Sequence, residues 1–213
     1  MVALLLTLSL MSVPTDLANT DFTLHVDVIP HASVTQADLD LARQIATSLL
    51  RSAGVVIDWR DCDARIVVCG DAERDLVSID IRLVHAVTRE HGDECGAVVN
   101  DSRGRMPSVL IYLSIVDDKI RRFHLGPAGR SDPRISTLRR GHLIGFIVAH
   151  ELGHALELPH APRGVMKADL DVDDIRSLRQ SRLTFLARER GHIQDALAAA
   201  AREQKPSPQR RGQ

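Results

Sequence analysis

Aromatic side chains are scarce in this chain: Phe, Tyr and Trp together make up 3% of its 213 residues. An interior built on rings is therefore excluded, and Leu, Val, Ile and Ala must fill the core. At 44% hydrophobic residues there is enough of them for one domain of this length. An excess of one charge is also missing. Lys and Arg number 27 against 28 Asp and Glu, giving a net charge of −1 with the two signs interspersed. That balance argues against a general electrostatic attraction to nucleic acid. No run reaches the ~18–20 apolar residues of a membrane span. The cysteines are Cys62, Cys69 and Cys95, and the absence of any C-x-x-C argues against an all-cysteine zinc site. There is no Gly-rich phosphate loop, no G-x-S-x-G elbow, no cysteine-nucleophile context and no internal repeat.

The two ends differ from the body. Residues 2–13, from Val2 to Val13, have the composition of a signal-peptide core, which points to a secreted or periplasmic protein. No Lys or Arg precedes this run, and cleavage after Asp16-Leu17-Ala18 leaves a poor residue at the −3 position. The alternative is a buried N-terminal strand or helix in a cytoplasmic protein. Export would favour a local disulfide between Cys62 and Cys69 across a hairpin-like turn; in the cytosol the cysteines stay reduced. The Pro- and Arg-rich end, within 201–213, is expected to be disordered.

Between the ends, Asp21 to Ile29 alternates, with Phe22, Leu24, Val26 and Val28 on one side, as a half-buried strand does. Thr35 can cap a helix, with Asp38 reaching back, and Leu39, Ala42, Ile45, Ala46 and Leu49 recur at helical spacing up to Ala53-Gly54. Val55 to Trp59 is a second strand, and strand, helix, strand implies a right-handed crossover with parallel pairing. Leu76 to Val84 is a third strand and Gly96 to Val99 a short one. Ser108 to Val116, apolar on both faces, is expected to be a central strand. Asp117 opens a short helix or turn through Phe123, and Gly126 to Pro133 is a loop. Ser136 or Thr137 starts a helix that is apolar nearly all round from Leu138 to Leu156, and such a helix is buried. Asp171-Val172-Asp173-Asp174 opens a C-terminal helix carrying Ile175, Leu178, Leu183, Leu186, Ile193 and Leu197, with Gly191 as the place where it breaks.

The buried helix carries the chemistry. Ala149 to His160 reads A-H-E-L-G-H-A-L-E-L-P-H. Residues four apart share a helical face, so His150 and His154 can aim imidazole nitrogens at one zinc ion. Glu151 is one residue round, placed to hold and deprotonate a zinc-activated water. Pro159 cannot continue the helix, and the turn it forces can return His160 as a third ligand. Three protein ligands and an open position characterise a catalytic zinc site rather than a structural one. Glu157 is a rival third ligand on the same helical face. At ~1.5 Å per residue, however, its backbone lies ~10 Å along the axis from His150 and the carboxylate could barely reach. The remaining histidines, His25, His31, His85, His91, His124, His142 and His192, are scattered and read as surface or packing residues. His142 is ~12 Å along the axis from His150, too far to share a metal.

With His160 in place and Gly164-Val165-Met166 following, the stretch resembles the metzincin clan of zinc peptidases, whose signature is H-E-x-x-H-x-x-G-x-x-H followed by a methionine turn. His150, Glu151, His154 and His160 match by spacing, and Met166 is the candidate turn methionine. Glu157 departs, standing where the signature has glycine. The similarity spans roughly residues 22–200, with specific motifs only at 150–166, and extends to a group of small bacterial zinc-peptidase-like proteins. It implies an α+β fold: a mixed, mostly parallel twisted sheet with a backing helix, a buried active-site helix and a C-terminal helix. The catalytic domain is then 21–200, after an apolar segment at 1–20. The resemblance also implies Zn2+ as cofactor, a peptide or protein substrate, and a methionine beneath the metal that makes no bond to it. An edge strand ahead of the active-site helix would take the substrate backbone as an added strand, and Gly96-Ala97-Val98 is the candidate. The alternatives are a non-catalytic metal-containing binding protein on the same fold, and a hydrolase of another amide or ester bond.

Overall fold

The computed structural model describes residues 22–31, 33–62, 78–85, 94–100, 107–125 and 135–203. The expected signal segment, Cys69, His91, the loop at 126–133 and the tail from 204 lie outside these residues.

The fold is mixed α/β, with a five-stranded sheet and five helices among the described residues. Strands β1 (Phe22–Ile29), β2 (Val55–Asp61), β3 (Ser78–Val84), β4 (Gly96–Val99) and β5 (Ser108–Tyr112) lie in the order β2-β1-β3-β5-β4. All neighbours are parallel except β4, which runs antiparallel to β5 at the edge. As the alternation predicts, Leu24, Val26 and Val28 of β1 and Ile79, Ile81 and Leu83 of β3 are buried. The buried charge in β1, Asp27, is held by Arg60 of the parallel neighbour β2 at 2.8 Å. Cys62, just past β2, is disulfide-bonded.

Helix α1 (Gln36–Arg51) starts where the capping signal places it: the Thr35 side chain accepts from the Asp38 N–H. It packs on α3 (Arg140–Ala155) unusually closely. A β-carbon added at Gly145 would lie 2.4 Å from the Ala42 carbonyl oxygen, and one added at Gly141 would lie 2.5 Å from that of Asp38. The two glycines, four apart, thus form a flat face on which α1 sits. With α1 on one side and strands β4 and β5 on another, α3 is buried from Leu143 to Gly153.

Three boundaries differ from expectation. The strand expected over Ser108–Val116 ends at Tyr112, and helix α2 (Leu113–Leu125) takes the rest. Leu113 and Val116 are both buried at i, i+3 spacing, and a short apolar run reads alike as strand or buried helix. Helix α3 starts at Arg140 rather than near Ser136, which lies in a turn. The Arg139 N–H donates to Nδ1 of His142, so that histidine serves as a cap. The C-terminal helix is two helices, α4 (Val172–Arg179) and α5 (Ala187–Glu203). They part at 180–186, where Ser181 takes φ 54°, and not at Gly191, which lies inside α5. Asp171 caps α4 through the N–H groups of Asp173 and Asp174. No helix among the described residues is long and apolar enough to cross a membrane.

Candidate metal centre

His150 and His154 sit in the last two turns of α3, and each ring is oriented by a backbone carbonyl. His150 Nδ1 donates to the Val165 carbonyl at 2.8 Å, and His154 Nδ1 donates to that of Leu158 at 2.7 Å. A carbonyl only accepts, so the ring proton is on Nδ1 and the lone pair on Nε2. The two Nε2 atoms lie 3.0 Å apart, and Nε2 of His160 lies 3.1 Å from that of His154. Burial keeps both rings neutral: it pushes the pKa of His150 down to about 4 and lowers that of His154. Bare lone pairs facing each other at this distance repel, unless a cation lies among them.

The donor set therefore fits a divalent transition metal. Imidazole ligands at ~2.0–2.1 Å in a tetrahedral arrangement stand about 3.3 Å from one another, a few tenths of an ångström from the spacing observed. Among the described residues, His150, His154 and His160 form a group of metal-ligating type whose candidate ligand atoms all lie within 4.8 Å of one another.

The local sequence explains how His160 returns. Helix α3 ends in two bonds, from the Leu158 N–H to the Gly153 carbonyl and from the Glu157 N–H to that of His154, both 2.9 Å. These are the two bonds of a Schellman cap, which needs one left-handed residue, usually glycine. Here Glu157 takes that position at φ 64°, with its side chain exposed. The departure from the glycine signature thus preserves the turn at a local cost, and it points Glu157 away from rivalry with His160. Leu158, the next residue, closes the cap with its N–H and orients His154 with its carbonyl.

Met166 lies fully buried against the same helix. A β-carbon added at Gly153 would come 2.4 Å from its Sδ, so the thioether packs directly on the backbone between the two helical histidines. The chain from Ala161 to Lys167 folds back on itself, with the Ala161 N–H donating to the Met166 carbonyl at 2.8 Å. This turn delivers the Val165 carbonyl to His150.

Glu151 is buried beside the cluster, in a cleft of about 590 Å3 that all three histidines line. Gly96, Ala97 and Val98 of β4 line the same cleft. The carboxyl of Glu151 lies where a side chain on Gly96 would be: an added β-carbon would meet its Cγ, Cδ and Oε1 at 2.7–2.9 Å. Burial, and then the negative charge of Glu94, push the Glu151 pKa up to about 7. Tyr112, at the end of β5, is raised by burial and then by Glu94 and Glu151, so its phenol keeps its proton.

Of the candidate site residues, Gly96, Ala97, Val98, His150, Glu151, His154 and His160 line one cleft, Met166 is buried against Gly153 of the same helix, and Glu157 faces solvent. The sequence reading did not pick out Glu94, Tyr112 and Lys119, which carry charge or a proton near the cleft, or the two orienting carbonyls. Of the scattered histidines, His142 caps α3 and His192 bonds the Leu156 carbonyl at 3.1 Å, both structural uses.

No protein-family model and no curated protein sequence matches the chain. Among solved structures it is similar to the crystal structure of archaemetzincin from Methanopyrus kandleri, at 13% sequence identity and a TM-score of 0.47, over 86% of this chain and 99% of that one.

Proposed function

We propose that this chain is a zinc-dependent peptidase. The observation that carries the reading is the convergence of three imidazole Nε2 atoms, two of them fixed by carbonyl bonds at Nδ1, in a cleft shared with a buried carboxyl. His150, His154 and His160 would hold the ion. A zinc ion there supplies Lewis acidity, lowering the pKa of water and polarising a carbonyl.

The chain's own residues do the rest. Glu151, whose carboxyl is held above the usual carboxylate range by burial and by Glu94, is suited to take up a proton and to return it. It takes the proton from the attacking water and passes it to the leaving amine. Gly96, having no side chain, leaves room for that carboxyl against the strand. Strand β4 presents its outer edge to the cleft, where an extended peptide adds by main-chain hydrogen bonds. Met166 and Gly153 hold the helix backbone beneath the ligands. An exported protein with the Cys62–Cys69 bridge is the setting this reading favours.

The deciding experiment joins metal analysis to turnover. Wild type is expected to retain one zinc per chain and to cleave members of a diverse peptide library, with cleavage abolished by a chelator and restored by zinc. Glu151→Gln keeps the metal and loses turnover; His160→Ala loses the metal. Cleavage by Glu151→Gln at the wild-type rate refutes the assignment, and metal retention without any turnover by wild type leaves a binding protein.

A further inference from the structure

The cleft beside the histidines has apolar walls from α3 and the segment after the methionine turn, namely Leu143, Phe146, Ile147 and Leu170. One cation is set among them that the proposed reaction does not use. Lys119, on α2, lines the cleft with its side chain 25% exposed. Its Nζ stands 3.5 Å from Asp169 Oδ1, and the Asp169 side chain is 92% exposed. That separation exceeds the roughly 2.7–3.2 Å of a good hydrogen bond. Lys167, by contrast, holds Asp171 at 2.7 Å. Asp169 therefore neither neutralises Lys119 firmly nor loses much by turning to water.

We propose that Lys119 selects substrates that place a carboxylate in the part of the cleft that it lines. This rests on the peptidase reading and names its substrate class. The carboxylate is that of an Asp or Glu side chain, or of a free C-terminus. Entering between apolar walls, it takes charge-assisted hydrogen bonds from the ammonium, and Asp169 swings out. A neutral side chain of the same size leaves the ammonium without that partner, and a basic one meets like charge. Lys119 and Glu94, of opposite charge, both line the cleft. An acidic group is thus welcome beside one and opposed beside the other, so the preference belongs to one side of the cleaved bond.

The test uses zinc-loaded full-length protein and terminally blocked peptides of one length carrying Glu, Gln or Lys, scanned through each position. A neutral peptide with a free C-terminus is a separate arm. Wild type is expected to favour Glu over Gln in one register, or the free acid over its amide, by roughly 10- to 100-fold in kcat/KM. The two arms separate the side-chain and terminal sources. Lys119→Met brings that ratio to about one, and Lys119→Glu turns it in favour of the Lys peptide. Anisotropy of the same peptides on Glu151→Gln protein gives the same ranking without turnover. Wild type that treats Glu and Gln peptides alike, or a preference that survives Lys119→Met, overturns the proposal and leaves the peptidase reading standing. Acidic-peptide binding that depends on Lys119, with no cleavage by wild type, does the reverse.

Discussion

Replacing Glu151 by glutamine should make the metal-free protein progressively more stable relative to wild type as pH rises. The carboxyl has an ordinary pKa of 4.5 and is pushed up to about 7 in the fold, chiefly by burial. Below pH 4.5 it is protonated in both the folded and the unfolded chain and has no effect on the slope. Between 4.5 and 7 the folded state holds the proton more tightly, so stability falls as pH rises. Each pH unit in that window is worth about 1.4 kcal/mol, and the full window therefore about 3 kcal/mol. Glutamine has no charge to bury. The stability difference between Glu151→Gln and wild type should rise from its value at pH 4.5 by about 3 kcal/mol and level off above pH 7. Its absolute value depends on what the amide finds to bond, but its change with pH does not. His150 titrates in both proteins and drops out of the difference. The assay is urea unfolding of both proteins in chelator at half-unit steps from pH 4.5 to 8. A difference that stays flat across this range would refute the account of Glu151 as a carboxyl held neutral by its surroundings.

The other expectations follow from particular contacts. Gly96→Ala places a β-carbon against the Glu151 carboxyl, so it should retain zinc by metal analysis yet lose at least roughly tenfold in kcat, since displacement of a catalytic group by an ångström is costly. Glu157→Gly relieves the left-handed strain at the α3 cap; urea unfolding should show a gain of about 0.5–1 kcal/mol, and no gain would mean that the φ of 64° carries no strain. His160→Ala should weaken zinc binding by more than the roughly 10- to 100-fold typical of losing an orienting partner, read by chelator competition. Saturating metal should restore stability to wild type: at 100 times Kd, about 2.7 kcal/mol on the unfolding curve, absent for His150→Ala.

The convergence of the three histidines could be read from the sequence because their spacing obeys helix geometry. His150 and His154 need only the 3.6-residue turn to converge, and Pro159 announces the bend that brings His160 back. The same holds for Thr35, whose capping side chain is encoded locally. Boundaries were less legible where one pattern serves two structures. Leu113 to Val116 is as apolar as the strand before it, and the pairing of β5 between β3 and β4, set by distant residues, decides where the strand stops. Gly191 resembles a helix breaker, yet it lies inside α5. The real break, at Ser181, comes where the chain must cross back to bring Thr184 to the Val165 N–H.

What the sequence could not express is the part of the site made of backbone. The Val165 and Leu158 carbonyls determine which nitrogen of each helical histidine is bare, and any residue type supplies a carbonyl. Their positions follow from two turns, one held by the left-handed Glu157 and the other by Met166 packed against Gly153. Glu157 and Met166 thus serve to aim carbonyls at Nδ1 atoms as much as to place His160. On this argument a substitution that keeps all three histidines but shifts a turn should disturb the metal site. Gly153→Ala, whose β-carbon would strike Met166 Sδ, tests it. Zinc affinity should fall although no ligand has changed, and it should recover in part when Met166 is also shortened to Ala, which vacates the contact. Unchanged affinity in the single variant would mean that the carbonyls do not set the histidines.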